Sequence, residues 1–202
     1  MPQPLSAPAT LDEVLAHGLA ELRRGVADRR HGFRTVNVAS IATDGGPDVR
    51  TMVLRAVDPV ARTLRLHSDV RSGKIAQIDR DPRVMVHGYD ARSRLQMRLR
   101  GHAVVDRAGA LADAAWAASQ PMARLCYAPD TVPGSPIPAA PLPPATEEAG
   151  ARAHFAVILF RFDMLEWLWL AADGHRRARF MWDDGADAAA SAAPAQAMWL
   201  AP

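Results

Sequence analysis

Three short stretches hold the polar residues best placed to do chemistry. The first is Val49-Arg50-Thr51-Met52-Val53-Leu54-Arg55, the second runs from Leu66-His67-Ser68 to Arg71-Ser72-Gly73-Lys74, and the third is Leu95-Gln96-Met97-Arg98-Leu99-Arg100-Gly101. Arg71-Ser72-Gly73-Lys74 precedes a helical pattern, and a helix N-terminus offers backbone N–H groups and a dipole that favour an anion. Arg71 and Lys74 add formal charge there and Ser72 adds a hydroxyl; the plain alternative is a solvated basic turn. Arg50, on an apolar strand, could reach the same anion or form a surface ion pair. Gln96 could hydrogen-bond the edge of a heterocycle or face solvent. Together the stretches suit a flat ligand with a phosphate tail.

Other chemistries find no matching pattern. Ser72-Gly73-Lys74 looks like the end of a P-loop, but the first glycine of that motif falls at Ser68 and the residue after the lysine is Ile75. His67 and His87 end separate strands with no carboxylate at ligand spacing, and neither H-E-x-x-H nor C-x-x-C occurs, so no metal site is expected. The absence of G-x-S-x-G removes the hydrolase elbow. Cys126 sits beside Tyr127 with no nearby base in sequence and reads as a packed thiol rather than a nucleophile.

The elements that must position these groups follow from periodicity. Thr10-Leu11-Asp12-Glu13 is a capping box, and Leu11, Val14, Leu15, Leu19, Leu22 and Val26 recur at helical spacing, so a helix is expected from Leu11 to Asp28. Strands are expected over 35–43, 49–57, 63–67, 84–89 and 94–105, with the Asp44-Gly45-Gly46-Pro47 turn joining the first two. A short helix over 72–79 should bury Ile75 and Ile78. An Ala-rich helix from Ala110 to Leu125 should kink or split at Pro121. Residues 128–144 carry seven prolines and form a loop that wraps the surface or covers a site. Phe155–Phe162 is an apolar strand that Glu166–Leu170 either continues or pairs with. A turn at 173–175, a strand over 177–182, an Ala/Asp/Gly loop over 183–194 and a short strand at 198–200 complete the chain. Hairpins at this spacing predict a mainly β, antiparallel barrel flanked by helices, and the absence of βαβ alternation disfavours a Rossmann sheet.

Bulk properties narrow the class. The 202 residues fit one domain spanning 1–202, with residues 1–10 frayed and 128–150 a Pro-rich loop. A net charge of +2 without any long basic run gives no footprint for nucleic acid. No apolar run reaches the roughly 18 residues that span a bilayer, no secretory signal pattern opens the chain, and the single cysteine can form no internal disulfide. A cytoplasmic setting is therefore expected. Lys74 is the one lysine among 24 basic residues.

In their order and separation, the three stretches resemble the pyridoxamine 5′-phosphate oxidase family. That family shows Arg-x-Val-Leu-Leu-Lys, then an aromatic–Thr-Asn pair leading to Ser-Arg-Lys, then Arg-Gln-x-x-x-x-Gly. The block Trp169…Asp173-Gly174-His175-Arg176-Arg177-Ala178-Arg179-Phe180 is similar to its Trp…Arg-x-His-x-Arg-Phe ending, and Trp199-Leu200-Ala201-Pro202 to its Leu-x-Pro terminus. The resemblance covers about Gly32 to Pro202. It implies an antiparallel FMN-binding split barrel. Arg50 and Lys74 would hold the FMN phosphate, helped by Ser72, with Arg71 taking the role of a loop arginine that the family places at Gly73. Thr51, Met52 and Val53 would run beneath the isoalloxazine, His67 and Ser68 would face it, and Gln96 would meet its polar edge. Arg55 stands where the first motif ends in lysine and joins the cofactor set. Trp169 and Arg179 would complete the site from the second subunit of a homodimer.

On the substrate side the match is poorer. The family's Tyr-x-x-x-Arg-x-x-x-Ser lands on Trp116, Gln120 and Arg124, and its Arg-x-His lands on His175 and Arg177. The resemblance thus implies an FMN-dependent oxidoreductase of the oxidase-related branch acting on an unassigned small-molecule substrate, with NAD(P)H a candidate donor. The alternatives are a true pyridoxamine/pyridoxine 5′-phosphate oxidase and a non-enzymatic flavin- or haem-binding protein. No side chain is assigned as a catalytic acid or base.

Overall fold

Alternating β-branched and apolar residues over 35–69 and 83–106 build strands with one dry face, and those faces must close on something. In the computed structural model, which describes residues 8–138, 145–172, 174–183 and 193–202, they close on one another. β1 (Thr35–Ile41), β2 (Pro47–Asp58), β3 (Thr63–Asp69), β4 (Arg83–Asp90), β5 (Leu95–Asp106) and β6 (Phe155–Trp169) form an antiparallel sheet in the order β3-β2-β1-β4-β5-β6. β3 also pairs with β6, Thr63 opposite Arg161 through Asp69 opposite Phe155, which turns the sheet into a six-stranded barrel. β7 (Arg176–Met181) and β8 (Gln196–Leu200) extend from β6 outside the closure. Val36, Val38, Leu54, Leu64, Leu66, Val86, Met97, Leu99, Ile158 and Phe160 point inward and are almost wholly buried.

Helix α1 (Leu11–Ala27) begins at the expected capping box. Thr10 Oγ1 accepts from Glu13 N–H at 3.2 Å, and the Glu13 carboxylate accepts from Ala9 and Thr10 N–H. Its apolar stripe seats Val14 and Leu22 in the core. A Cβ on Gly25 would lie 2.6 Å from the Phe33 carbonyl oxygen, so only glycine lets the helix approach so closely. Trp167, fully buried, donates its indole N–H to His17 Nδ1 at 3.2 Å. α2 (Gly73–Arg80) buries Ile75 and Ile78 as expected, and Gln77 with them.

Elsewhere the structure refines the expectations. The Ala-rich helix splits into α3 (Ala110–Ala117) and α4 (Pro121–Arg124), because Gln120, which precedes the proline, is extended at φ −67° and ψ 144°. Glu166–Leu170 does not pair back; β6 is one 15-residue strand, serving β3 with its first half and β7 with its second. A single turn, α5 (Ala151–His154), went unread in the sequence because four residues carry no periodicity. Residues 128–138 are irregular, as expected; 139–144, Asp173 and 184–192 lie outside the described residues. Cys126, expected to be packed, is exposed.

Two bulges bend the barrel. On β2 the register slips between Leu54 and Ala56, leaving Arg55 unpaired against β3. On β6, Asp163 is the extra residue opposite Arg100 and Gly101. At Gly101 a Cβ would lie 2.0 Å from the Arg161 carbonyl oxygen, inside any permissible contact. Gly101→Ala is therefore expected to destabilise the fold by about 3 kcal/mol, the upper end of ordinary overpacking, read as a lowered urea midpoint. An unchanged midpoint would show that the bulge can open.

Candidate functional site

Strand pleating sorts the predicted residues before any ligand is considered. On β2, Met52 turns into the barrel core while Thr51 and Val53 face outward. Arg50 lies at the end of the same strand as the hub of a polar network. One terminal guanidinium nitrogen donates to Val38 O at 3.1 Å and Ser40 Oγ at 2.7 Å; the other donates to Asp48 Oδ2 at 2.6 Å and Gln77 Oε1 at 2.7 Å. Gln77 Nε2 donates to the same Asp48 oxygen, and this bond together with Arg50 holds the Asp48 carboxyl below its ordinary range.

Lys74, in the first turn of α2, donates to Ser68 Oγ at 3.4 Å. Burial lowers its pKa and the neighbouring Arg50 charge lowers it further, against opposing pulls from Asp69 and Asp48. Arg50, Ser68 and Lys74 thus gather where β2, β3 and α2 meet, beside a helix start that Ser72 caps with no side-chain bond. An anion placed there would relieve the repulsion between the two cations. Arg71 is held elsewhere: its guanidinium grips Asp69 at 2.7 Å and the carbonyls of Pro129 and Asp130, which ties down the start of the Pro-rich loop.

A second group assembles on the outer face of β2 and β3. Arg55 at the bulge, Arg65 and His67 line a cleft of about 570 Å³ together with Arg29 and Arg34, and a wall from α3 and α4 that includes Ala115, Ser119, Gln120 and Ala123 faces them. Bulges commonly re-aim side chains beside functional sites. The Nε atoms of Arg55 and Arg65 and the Nε2 of His67 are buried without a hydrogen-bond partner. His67 packs edge-on against Phe155, ring centres 4.9 Å apart. Burial, with Arg55 and Arg65 adding to it, pushes its pKa down to about 4.

The remaining predicted residues are placed apart from these two groups. Trp116 packs with Phe155 and Tyr127 in a satellite core, and the Arg124 guanidinium stacks over its ring at 5.2 Å. Burial in that core drives the Tyr127 hydroxyl up to about 12. Trp169 donates its indole N–H to Ser93 O at 2.8 Å. Arg177 and Arg179 both grip the buried Glu166 carboxylate, which Arg98 also reaches. Burial pushes Glu166 up, but those hydrogen bonds outweigh it and keep the carboxyl below its ordinary range. His175 is exposed and borders a smaller hollow of about 430 Å³ with Arg176, Arg177 and Trp199. Gln96 faces outward on β5, opposite Tyr89 and Leu168.

One cross-strand row relates these groups: Thr51–Asn37–His87–Arg98–Glu166–Arg179. Arg179 is five strands from Thr51 along that row, and three through the β3–β6 closure. Among the described residues no hydrogen bond or ion pair joins Trp169 or Arg179 to Arg50 or Lys74.

Sequence reasoning missed Ser40, Asp48 and Gln77 around Arg50, and Arg29, Arg34 and Arg65 around the cleft. For Arg65 a signal existed, since it shares a strand face with His67. For the others the neighbours come from separate elements. Glu21, His31 and Asp90 also cluster tightly enough to suggest a cation site. His31 Nδ1 accepts from Phe33 N–H, however, so its Nε2 carries the proton donated to Glu21 Oε2 at 3.0 Å. That nitrogen presents no lone pair, and the cluster is a hydrogen-bond network.

Residues 15–107 match the family model described as pyridoxamine 5′-phosphate oxidase, FMN-binding domain. That segment, from α1 to the end of β5, is what the chain shares with the family. Among solved structures, it is similar to a pyridoxamine 5′-phosphate oxidase-related, FMN-binding protein from Nostoc punctiforme PCC 73102, at 21% identity and a TM-score of 0.70 over 97% of this chain and 100% of that one. It is also similar to PhzG from Burkholderia lata 383, whose structure is in complex with tetrahydrophenazine-1-carboxylic acid, at 17% identity and a TM-score of 0.69 over 100% and 97% of the two chains. At these identities the likeness establishes the fold. No curated protein matches the chain. No helix among the described residues is long and apolar enough to cross a membrane.

The half-buried His67 makes a pH prediction. With the folded-state pKa near 4 and the ordinary value 6.5, the folded protein binds fewer protons than the unfolded chain between those values. The neutral His67 therefore costs stability as pH falls through that window. His67→Gln should lose less Tm than wild type between pH 7 and pH 4.5, measured by circular dichroism. Equal losses would mean that His67 is solvated.

Proposed function

We propose that this chain is an FMN-dependent oxidoreductase acting on a small-molecule substrate, in a cytoplasmic setting. The observation that carries the reading is the convergence of Arg50, Ser68 and Lys74 on the open start of α2. A phosphate fits such a group, because it can replace Asp48 on Arg50 and relieve the repulsion felt by Lys74. Asp48 is nearly half exposed, so solvent can take over its hydrogen bonds when it is displaced. Thr51 and Val53 present the strand face along which an isoalloxazine would lie, with Gln96 on the same outer face of the sheet. Bound FMN supplies hydride and electron transfer; the protein binds it, orients it and holds the substrate.

A homodimer would complete the expected site. Within one protomer Arg179 is engaged by Glu166 and Trp169 by Ser93 O, rather than by Arg50 or Lys74. A two-fold axis through the shared face would bring the partner's copies across. Light scattering on the flavin-loaded protein should give twice the chain mass of 21.8 kDa. A monomer that holds FMN tightly would sink the dimeric site.

The true oxidase reading has less support, since Trp116 and Arg124 engage each other rather than the cleft. Turnover of pyridoxine 5′-phosphate would favour it nonetheless. Anaerobic reduction of bound FMN by NADH or NADPH would separate an enzyme from a flavin- or haem-binding module.

Lys74→Ala tests the phosphate site. A charge-assisted hydrogen bond contributes about 1.5–3 kcal/mol, and about 1.4 kcal/mol is one decade. Lys74→Ala should therefore weaken FMN roughly ten- to a hundredfold in a fluorescence-quenching titration, while riboflavin, which lacks the phosphate, binds as before. Arg92→Ala, in the turn after β4, serves as the control. Parallel loss of both flavins, or no loss of either, would place the phosphate elsewhere.

A further inference from the structure

Two acids act on the Lys74 charge, Asp69 and Asp48, and the structure fastens them differently. Asp69 is buried and accepts from Arg71 three times, from its backbone N–H, its Nε and its Nη2, so it is committed to that arginine. Asp48 is nearly half exposed. Its Oδ2 takes two converging donors, Arg50 Nη2 at 2.6 Å and Gln77 Nε2 at 2.7 Å. Both donors are held from behind. Arg50 Nη1 is anchored on Val38 O and Ser40 Oγ. Gln77, buried on α2, accepts through Oε1 from Ser40 Oγ and from Arg50 Nη2, each at 2.7 Å. The two donors therefore keep their aim without Asp48, and they aim at one anionic oxygen.

We infer that Asp48 is an internal counter-anion: its carboxylate stands where an oxygen of the flavin phosphate binds, and it competes with that phosphate for Arg50 and Gln77. The inference rests on the flavin reading of this site and names the residue that limits the strength of its phosphate grip. Charge decides the sign. Arg50 and Lys74 bring two positive charges, Asp48 offsets one of them, and Asp69 is balanced by Arg71. A phosphomonoester brings about −1.5 to −2 at neutral pH. It meets a carboxylate of like charge on the donors it needs, and that repulsion lowers its affinity. In the unliganded protein the same carboxylate keeps Arg50 paired next to Lys74, whose charge it would otherwise repel unopposed. A residue that only positioned Arg50 would act in the other direction, and its loss would weaken phosphate binding.

Asp48→Asn removes the charge and keeps the shape. FMN and riboflavin are titrated by fluorescence quenching into wild type, Asp48→Asn and Asp48→Ala at constant ionic strength, and inorganic phosphate is titrated by calorimetry into the flavin-free proteins. Both variants should tighten FMN roughly three- to tenfold, as expected for a half-exposed charge acting on a doubly charged group, and leave riboflavin unchanged. Asp81→Asn removes a like charge at the far end of α2, where Asp81 pairs with Arg83, and should change neither flavin. If FMN binds and neither Asp48 variant tightens it at least threefold, Asp48 is a holder of Arg50 and the inference is overturned. Equal tightening of riboflavin, or of FMN by Asp81→Asn, overturns it as well. Tighter binding of inorganic phosphate by Asp48→Asn in a protein that takes up no FMN would uphold the counter-anion and remove the flavin reading. Lys74-dependent preference for FMN over riboflavin, with no gain from Asp48→Asn, would do the reverse.

Discussion

The pairing of β3 with β6 is the contact on which the rest depends. It joins segments far apart in the chain, Thr63 to Arg161 and Asp69 to Phe155, and leaves neither strand with a free edge along that stretch. β3 is also the strand that both candidate ligand groups share. Its inward side presents Ser68 toward Lys74 and its outward side presents Arg65 and His67 to the cleft. Until the barrel closes, these side chains have no fixed relation to Arg50 or Arg55. The closing contact is non-local, so its loop entropy must be met before it contributes stability, a topology that folds slowly.

Charge is distributed with two different logics. Over most of the molecule an arginine meets a carboxylate on a neighbouring strand or turn, and at Glu166 three arginines share one buried acid. Removing an acid from such a cluster would leave buried cations uncompensated, which is costly in a low dielectric. Among the described residues no acid lines the cleft around Arg55 and Arg65. The same element type, a strand with outward arginines, is thus locked in one place and open in another, and that difference in local balance separates scaffold from site.

Much of the fold was legible because it rests on local rules. The capping box at Thr10, the alternation of β1 to β5 and the split at Pro121 each depend on near neighbours in sequence. The 15-residue β6 was harder, since its second half owes its place to β7 and β5 as well as to its own pattern. The family motif identified Arg50 and Lys74 as a pair. It said nothing of Asp48 and Gln77, which hold Arg50 in place, because those contacts join β2 to the buried face of α2.

The sequence by itself determined the classes of element, the barrel architecture through its hairpin spacing, and, through the resemblance, the stretches where a flavin phosphate is expected. Tertiary structure alone decided which side chains meet. The one-residue bulge at Arg55 turns that side chain away from the β2 ladder into the cleft. Closure brings β3 beside β6, and the turn after α1 places Arg29 at the cleft. Strand period and helix period are short-range properties that a sequence displays directly; a bulge, a barrel closure and a shared cleft arise only when separate elements compete for the same space.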